Sequence, residues 1–207
     1  MRDGVVLYKN HLDRAAQVAI LDDVRACLAL APFYHPSMPR TGRPLSVRMT
    51  NCGPLGWVAD KTGYRYQPLH PETEAPWPAI PASIMDVWHA VSGFAHPAQA
   101  CLVNHYTQRA KLGLHKDSDE EHVDAPVVSV SLGDDAVFAI GGLKRADPKE
   151  RVTLTSGDVL VFGGASRLIY HGIDRIKPGT SDLLSATGID PAGGRLNLTL
   201  RHVSYDI

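Results

Sequence analysis

Cysteine is scarce in this chain, with three residues, Cys27, Cys52 and Cys101, odd in number and far apart. That excludes a disulfide framework and any zinc-ribbon spacing. Cys27 lies in an apolar helical pattern and Cys101 in a strand pattern, so each reads as a buried thiol, a usage that suits a reducing compartment. No apolar run approaches the ~18 residues of a membrane span, and no apolar segment follows a basic start as in a secretion signal. An excess of either charge is absent as well. The 21 Lys and Arg against 22 Asp and Glu leave a formal net charge of -1, without the global basic footprint of many nucleic-acid binders. A local basic groove is still affordable from 21 cations. What remains, 44% hydrophobic and 21% charged residues over 207 positions, is ordinary for a globular protein with a substantial core. The expectation is one domain over 1–207, monomeric, cytoplasmic and without a membrane contact.

The chain divides in character near residue 100. Residues 11–31 read as a helix, with Asp13 as N-cap, a stripe of Ile20, Val24, Cys27, Leu28 and Ala31, and Pro32 beyond its end. Residues 32–81, rich in Pro, Gly and aromatics, read as irregular with short extended pieces. A second amphipathic helix is expected at about 82–94, with Ile84, Val87, Trp88 and Val91 on one face. After Ala100 come short extended runs, ACLVNHY, APVVSVSLG, AVFAIGG, RVTLTSGDVLVFGG, RLIYHG and RLNLTLRHV, separated by Gly, Asp and Pro. Helices followed by a run of strands indicate an α+β chain whose second half is a sandwich or barrel. Thr155-Ser-Gly-Asp158 between two alternating runs reads as a hairpin turn.

The segment KLGLHKDSDEE (111–121) raises a metal question. In an extended strand, residues two apart face one side, so His115 and Asp117 would share a cavity. One imidazole and one carboxylate need a third ligand to form the two-histidine, one-carboxylate set of non-haem Fe(II) sites. His171, before Gly172 at the end of an apolar run, leads among ten histidines. His122, in the polar loop, and His105, which alternates with Asn104 and Tyr106, compete less well. The last strand adds weight. In Arg195–Arg201, Leu196, Leu198 and Leu200 face one way and Arg195, Asn197, Thr199 and Arg201 the other. If that polar face points inward, it offers two guanidiniums to a small dianion, which arginine binds bidentately. Asn104 and Tyr106 share one side of the strand at 102–106 and can donate to the same ligand. An iron triad beside a dicarboxylate pocket is the layout of a 2-oxoglutarate dioxygenase.

The strings Met49–Gly53, Leu55-Gly-Trp57, Ala125–Gly133, Gly141–Arg145, Gly157-Asp158, Gly163-Gly164, Ser166–Leu168, Tyr170–Gly172 and Asn197–Thr199 resemble the bacterial AlkB proteins in the same order. The resemblance runs from about residue 5 to 203. It implies a double-stranded β-helix (jelly-roll) core over 100–207, preceded by helices and a nucleotide-recognition lid over 1–99. It implies Fe(II), 2-oxoglutarate and O2 as cofactor and co-substrates, and alkylated DNA or RNA as partner. His115, Asp117 and His171 match the iron ligands, and Asn104, Tyr106, Arg195, Asn197 and Arg201 the 2-oxoglutarate contacts. Trp57, Tyr64, Tyr66, Asp119 and Arg145 match positions that hold or border a flipped base. Stacking aromatics and a carboxylate suit an extruded base. Glu120 and Glu121 read as solvated turn residues. The implied activity is oxidative N-demethylation of bases such as 1-methyladenine and 3-methylcytosine, with release of formaldehyde, succinate and CO2.

The chain departs from the family in three places. The connection Ile173–Gly194 is long, and its Pro178-Gly179 and Pro191-Ala-Gly-Gly194 stretches suggest an extended turn or flap. Phe162 stands where a tryptophan is expected, and the lid around Arg40–Arg48 diverges. Two rival readings are an oxygenase of small molecules or protein side chains, since one fold serves many substrates, and a non-catalytic binding module. The aromatic, basic N-terminal third opposes the first; the intact triad and both arginines oppose the second.

Overall fold

The computed structural model describes residues 2–121 and 123–206. Its elements in chain order are β1 (Val5–Tyr8), α1 (Arg14–Leu30), β2 (Arg48–Cys52), β3 (Gly56–Asp60), β4 (Gly63–Gln67), α2 (Ala82–Val91), β5 (Ala100–Tyr106) and β6 (Leu112–His115). They continue with β7 (Val127–Gly133), β8 (Asp135–Ile140), β9 (Glu150–Leu154), β10 (Val159–Phe162), β11 (His171–Lys177), α3 (Leu183–Ala186) and β12 (Arg195–Arg201). Asp13 caps α1 as expected, its carboxylate accepting from the Ala16 amide at 2.8 Å. The second helix stops at Val91, short of 94, because Gly93 takes a left-handed φ of 62°.

Two antiparallel sheets face each other in a jelly-roll. The larger runs β1-β10-β7-β12-β5-β2 and the smaller β6-β11-β8-β9, with β3 and β4 as a separate hairpin. Strict alternation on β12 sorts its two faces. Leu196, Leu198 and Leu200 are fully buried against the helices, in a core with Ile20, Leu21, Ile84 and Trp88. The opposite face, with Arg195, Asn197, Thr199 and Arg201, looks between the sheets. β5 follows the same rule, with Cys101 and Val103 toward the helices and Leu102 and Tyr106 toward the second core. All three cysteines are free and buried.

Three sequence expectations are corrected here. Thr155–Asp158 is not a hairpin. β9 pairs with β8 in the small sheet, whereas β10 pairs with β1 and β7 in the large one. Alternation has the same period in a hairpin and in a sheet-to-sheet corner, so periodicity could not separate them. The corner is set by the fully buried Asp158, whose carboxylate accepts from the Thr155 and Asn10 amides at 2.8 and 2.9 Å and pairs with Lys9 at 2.5 Å. Gly157 turns there with φ 88°, and a Cβ on it would lie 2.5 Å from the Leu12 carbonyl. The run Arg167–Gly172 is not a strand either. Residues Gly164–Ser166 form a 3-10 turn, and His171 opens β11 instead of ending the run.

The connection 173–194 is no flap. β11 occupies its first part, and a register shift between Ile173 and Arg175 lets Ile173 and Ile176, an odd number apart, both reach the inner core. Leu183 and Leu184 of α3 are fully buried in the helix-side core. Asp190 then pins the segment, with Oδ2 3.3 Å from Arg48 Nη2 and 3.2 Å from His105 Nε2. Leu184→Ala should therefore cost about 2–4 kcal/mol, read as a lower urea midpoint. An unchanged midpoint would return the segment to a loose flap.

Candidate active site

His115 closes β6 and His171 opens β11, and the two stand directly opposite in the antiparallel register. Their ring centroids are 4.5 Å apart at 57°. The strands approach this closely because residue 172 is glycine, where a Cβ would lie 2.8 Å from the Leu112 carbonyl. Each ring donates through Nδ1 to the carbonyl two residues back, His115 to Gly113 at 2.9 Å and His171 to Ile169 at 3.1 Å. That fixes the tautomer and leaves Nε2 as an inward-facing lone pair. Asp117 is not on the strand, which ends at His115, but on the loop just beyond it. Its Oδ1 is 3.8 Å from His115 Nε2 and its Oδ2 3.9 Å from His171 Nε2. Such separations lie within the roughly 4 Å that two ligands at ~2.0–2.1 Å from one ion can span. Among the described residues these three form the one His/Cys/Asp/Glu group with such spacing. His122 lies outside the described residues, and His105 faces away from the cavity toward Arg48 and Asp190.

The electrostatics keep the set ready to bind a cation. Burial pushes the His171 imidazole down to about 4 against the pull of Asp117, so the ring is neutral. Burial alone would raise the Asp117 carboxyl, but Arg201 and the two histidines hold it well below the usual carboxylate range. Phe162 stacks on His171 at 4.8 Å and 22°, with Phe138 behind it at 5.8 Å. The phenyl ring at the position expected for tryptophan thus packs directly on His171.

Beside the triad, β12 and β5 present Arg195 opposite Tyr106 and Asn197 opposite Asn104. Arg195 is fully buried, and its Nη1 and Nη2 donate to the Asp134 carbonyl at 3.1 Å and the Ser131 hydroxyl at 2.7 Å. Among the described residues its Nε has no hydrogen-bond partner, and burial lowers the guanidinium to about 10. A buried cation with a spare donor and no carboxylate in contact fits an incoming anion. Asn104 Oδ1 is buried and unpartnered too, while burial raises the Tyr106 hydroxyl so that it stays a donor. Asn197 donates to the Ser129 hydroxyl at 2.7 Å and the Val130 carbonyl at 3.0 Å. Arg201 differs from Arg195. Its Nη2 is 2.8 Å from Asp117 and its Nε 3.2 Å from Glu120, which leaves buried Nη1 unpartnered.

Every site residue named from the sequence except Tyr66 lines one cavity of about 540 Å³. At its mouth Trp57 and Tyr64 stack at 5.5 Å and 16°, the tyrosine half exposed. The Trp57 indole donates to Asp119 at 2.8 Å, which ties the β3–β4 hairpin to the loop carrying Asp117. Arg145 donates to the Leu114 carbonyl at 2.7 Å and lies over the Tyr170 ring. Tyr66 sits behind this wall and donates to Glu120 at 2.5 Å. Glu120 is therefore not a solvated turn residue: it is 7% exposed and paired with Arg167 and Arg201. Glu121 is exposed as expected. A charged run carries no mark of which member turns inward, so Glu120 and its partner Arg167 were missed.

The chain matches the 2OG-Fe(II) oxygenase superfamily over residues 4–201. It is 47% identical to an alpha-ketoglutarate-dependent dioxygenase AlkB homolog of Caulobacter vibrioides, over 96% of this chain and 87% of that one. It is 44% identical to the alpha-ketoglutarate-dependent dioxygenase AlkB of Escherichia coli, over 96% and 89%. The solved structure of OsALKBH1 superposes with a TM-score of 0.77 at 38% identity, covering 98% of this chain and 99% of the other. An oxidoreductase of the 2OG-Fe(II) oxygenase family from Burkholderia pseudomallei, at 14% identity and a TM-score of 0.55, shares the fold. With this cover along almost its whole length, the chain belongs to the AlkB family of 2OG-Fe(II) oxygenases.

Proposed function

We propose that this protein is an Fe(II)- and 2-oxoglutarate-dependent dioxygenase that demethylates nucleic-acid bases such as 1-methyladenine and 3-methylcytosine. The observation that carries the reading is the meeting, in one cavity, of a two-histidine, one-carboxylate cluster with a fully buried guanidinium that has no carboxylate partner among the described residues. His115, Asp117 and His171 would hold Fe(II), a set that leaves coordination positions open. Arg195 would take the distal carboxylate of 2-oxoglutarate, with Asn104, Tyr106, Asn197 and Arg201 around it. Bound iron supplies the activation of O2 that couples decarboxylation of 2-oxoglutarate to oxidation of the N-methyl group. The balance is N-methyl base, 2-oxoglutarate and O2 giving unmethylated base, formaldehyde, succinate and CO2.

The chain's own residues supply binding, orientation and exclusion of water. A ring-methylated base is cationic and pairs poorly, so it is cheap to extrude. The Trp57–Tyr64 pair forms the aromatic mouth, with Tyr66 behind it, and base–aromatic stacking contributes about 1–3 kcal/mol. The Asp119 carboxylate would favour the cationic base and accept from an exocyclic amine, releasing the Trp57 indole. Arg145, at the rim, suits a phosphate. Relatives bear the names DNA N(6)-methyladenine demethylase in Arabidopsis thaliana and tRNA demethylase in Schizosaccharomyces pombe, which supports a nucleic-acid substrate. Among the described residues no helix is long and apolar enough to cross a membrane. We place the protein in the cytoplasm as a monomer acting as one domain, since one chain supplies the complete site and its thiols are unpaired.

Two measurements test the reading. Asp117→Ala should lower formaldehyde release from methylated DNA and RNA oligonucleotides by at least about tenfold, the lower end of what loss of a group merely supporting a metal ligand costs; equal rates in variant and wild type would sink the iron assignment. Arg195→Gln should raise the 2-oxoglutarate KM by about 10- to 100-fold, matching the ~1.5–3 kcal/mol of a charge-assisted hydrogen bond. An unchanged KM would mean that the buried guanidinium serves packing only.

A further inference from the structure

Arg167 takes no part in the roles assigned above, yet its side chain is only 2% exposed and every arm of its guanidinium is engaged. All three contacts fall on one loop. Nε donates to the Ala125 carbonyl at 2.7 Å, Nη1 to the Asp117 carbonyl at 2.8 Å and Nη2 to the Glu120 carboxylate at 3.0 Å. This loop, between β6 and β7, carries both Asp117 and Asp119 and has no helix or strand among its described residues. Backbone carbonyls without a ladder must find donors elsewhere, and Arg167 supplies them at both ends of the loop. Glu120, at its centre, also takes Arg201 Nε at 3.2 Å and the Tyr66 hydroxyl at 2.5 Å. Arg201 in turn pairs with Asp117 at 2.8 Å. Arg167 itself ends the 3-10 turn that precedes β11, two residues before the Ile169 carbonyl that orients His171.

We propose that Arg167 is a positioning residue for the metal centre. Its planar fork sets the loop that presents Asp117, and through Glu120 it joins that loop to Tyr66 on the β3–β4 hairpin. The inference rests on the reading of His115, Asp117 and His171 as metal ligands. It follows from the shape of the side chain. Three acceptors in three directions match a rigid guanidinium, whereas the single nitrogen of lysine cannot reach all of them. Loss of such support behind a ligand typically costs about 10- to 100-fold in metal affinity. The same chain of contacts makes the hairpin sensitive to the metal loop. Glu120 holds Tyr66, and Asp119, one residue earlier, holds the Trp57 indole.

The test is a titration of the full chain with Co(II), followed by its visible absorption, in wild type, Arg167→Lys, Glu120→Gln and Asp117→Ala. Circular dichroism and thermal midpoints are recorded for each metal-free protein. Arg167→Lys should bind Co(II) about 10- to 100-fold more weakly, with displaced absorption bands, while remaining folded. Glu120→Gln, which removes only the charge opposite Arg167 and Arg201, should weaken binding in the same direction by a smaller factor. A folded Arg167→Lys with wild-type affinity and spectrum overturns the proposal, even if its thermal midpoint has dropped. That pattern is what a purely structural role produces. If Arg167→Lys does not fold, Glu120→Gln decides, and unchanged Co(II) affinity there overturns the proposal. Asp117→Ala separates the two levels. Retained Co(II) affinity in that variant removes the metal reading and this inference with it. Lost affinity in Asp117→Ala beside wild-type behaviour in Arg167→Lys removes only the inference.

Discussion

Charge balance among buried side chains at the cavity wall is the constraint on which this structure turns. Asp117 and Glu120 are buried carboxylates, and Arg167 and Arg201 are the buried cations that meet them. Ions taken out of water cost several kcal/mol each unless their partners and remaining hydrogen bonds are well placed. Here the four formal charges cancel, and the guanidiniums spend most of their donors on carboxylates and loop carbonyls. Arg195 is the exception. It is fully buried, has two neutral acceptors and one idle Nε, and touches no carboxylate. An interior that pairs Arg167 and Arg201 directly with carboxylates and, among the described residues, leaves Arg195 without one supports the proposal that an anion binds there.

The jelly-roll delivers these groups because strand alternation sorts them. Leu196, Leu198 and Leu200 of β12 pack on the helices with Cys101 and Val103 of β5, which turns the polar face of β12 into the space between the sheets. Two histidines from neighbouring antiparallel strands come into register at the rim of that space. Asp117 then reaches the same point from a loop, where no ladder fixes it, and depends on Arg201 and Arg167 for its place. The hairpin with Trp57, Tyr64 and Tyr66 leans on the same loop through Asp119 and Glu120. The aromatic hairpin and the His115–Asp117–His171 cluster thereby share one set of buried contacts.

Much of this was legible in the residues. The period-2 pattern of 195–201 gave the inward arginines, and the Asp13 cap and apolar stripe gave α1. The corner at 155–158 was misread because a hairpin and a crossover between sheets share the same local alternation; what distinguishes them is Asp158 binding Asn10 and Lys9 far away in sequence. The connection 173–194 looked like a flap from its Pro and Gly content, whereas Leu183 and Leu184 bury it. Glu120 could not be told from its charged neighbours, since its burial depends on Arg167, Arg201 and Tyr66, none of them local. Short-range patterns are set by strand and helix periods. Long-range ion pairs have no period and are invisible until the chain is folded.

On the proposed reading, one cavity holds iron on His115, Asp117 and His171 with 2-oxoglutarate anchored on Arg195. Crystals grown without oxygen in the presence of Fe(II) and 2-oxoglutarate, measured at the iron absorption edge, test it most directly. The expected result is a single anomalous peak between His115 Nε2, His171 Nε2 and the Asp117 carboxylate, with density for a dicarboxylate whose far end meets Arg195. An anomalous peak elsewhere, or a dicarboxylate turned away from Arg195, would contradict it.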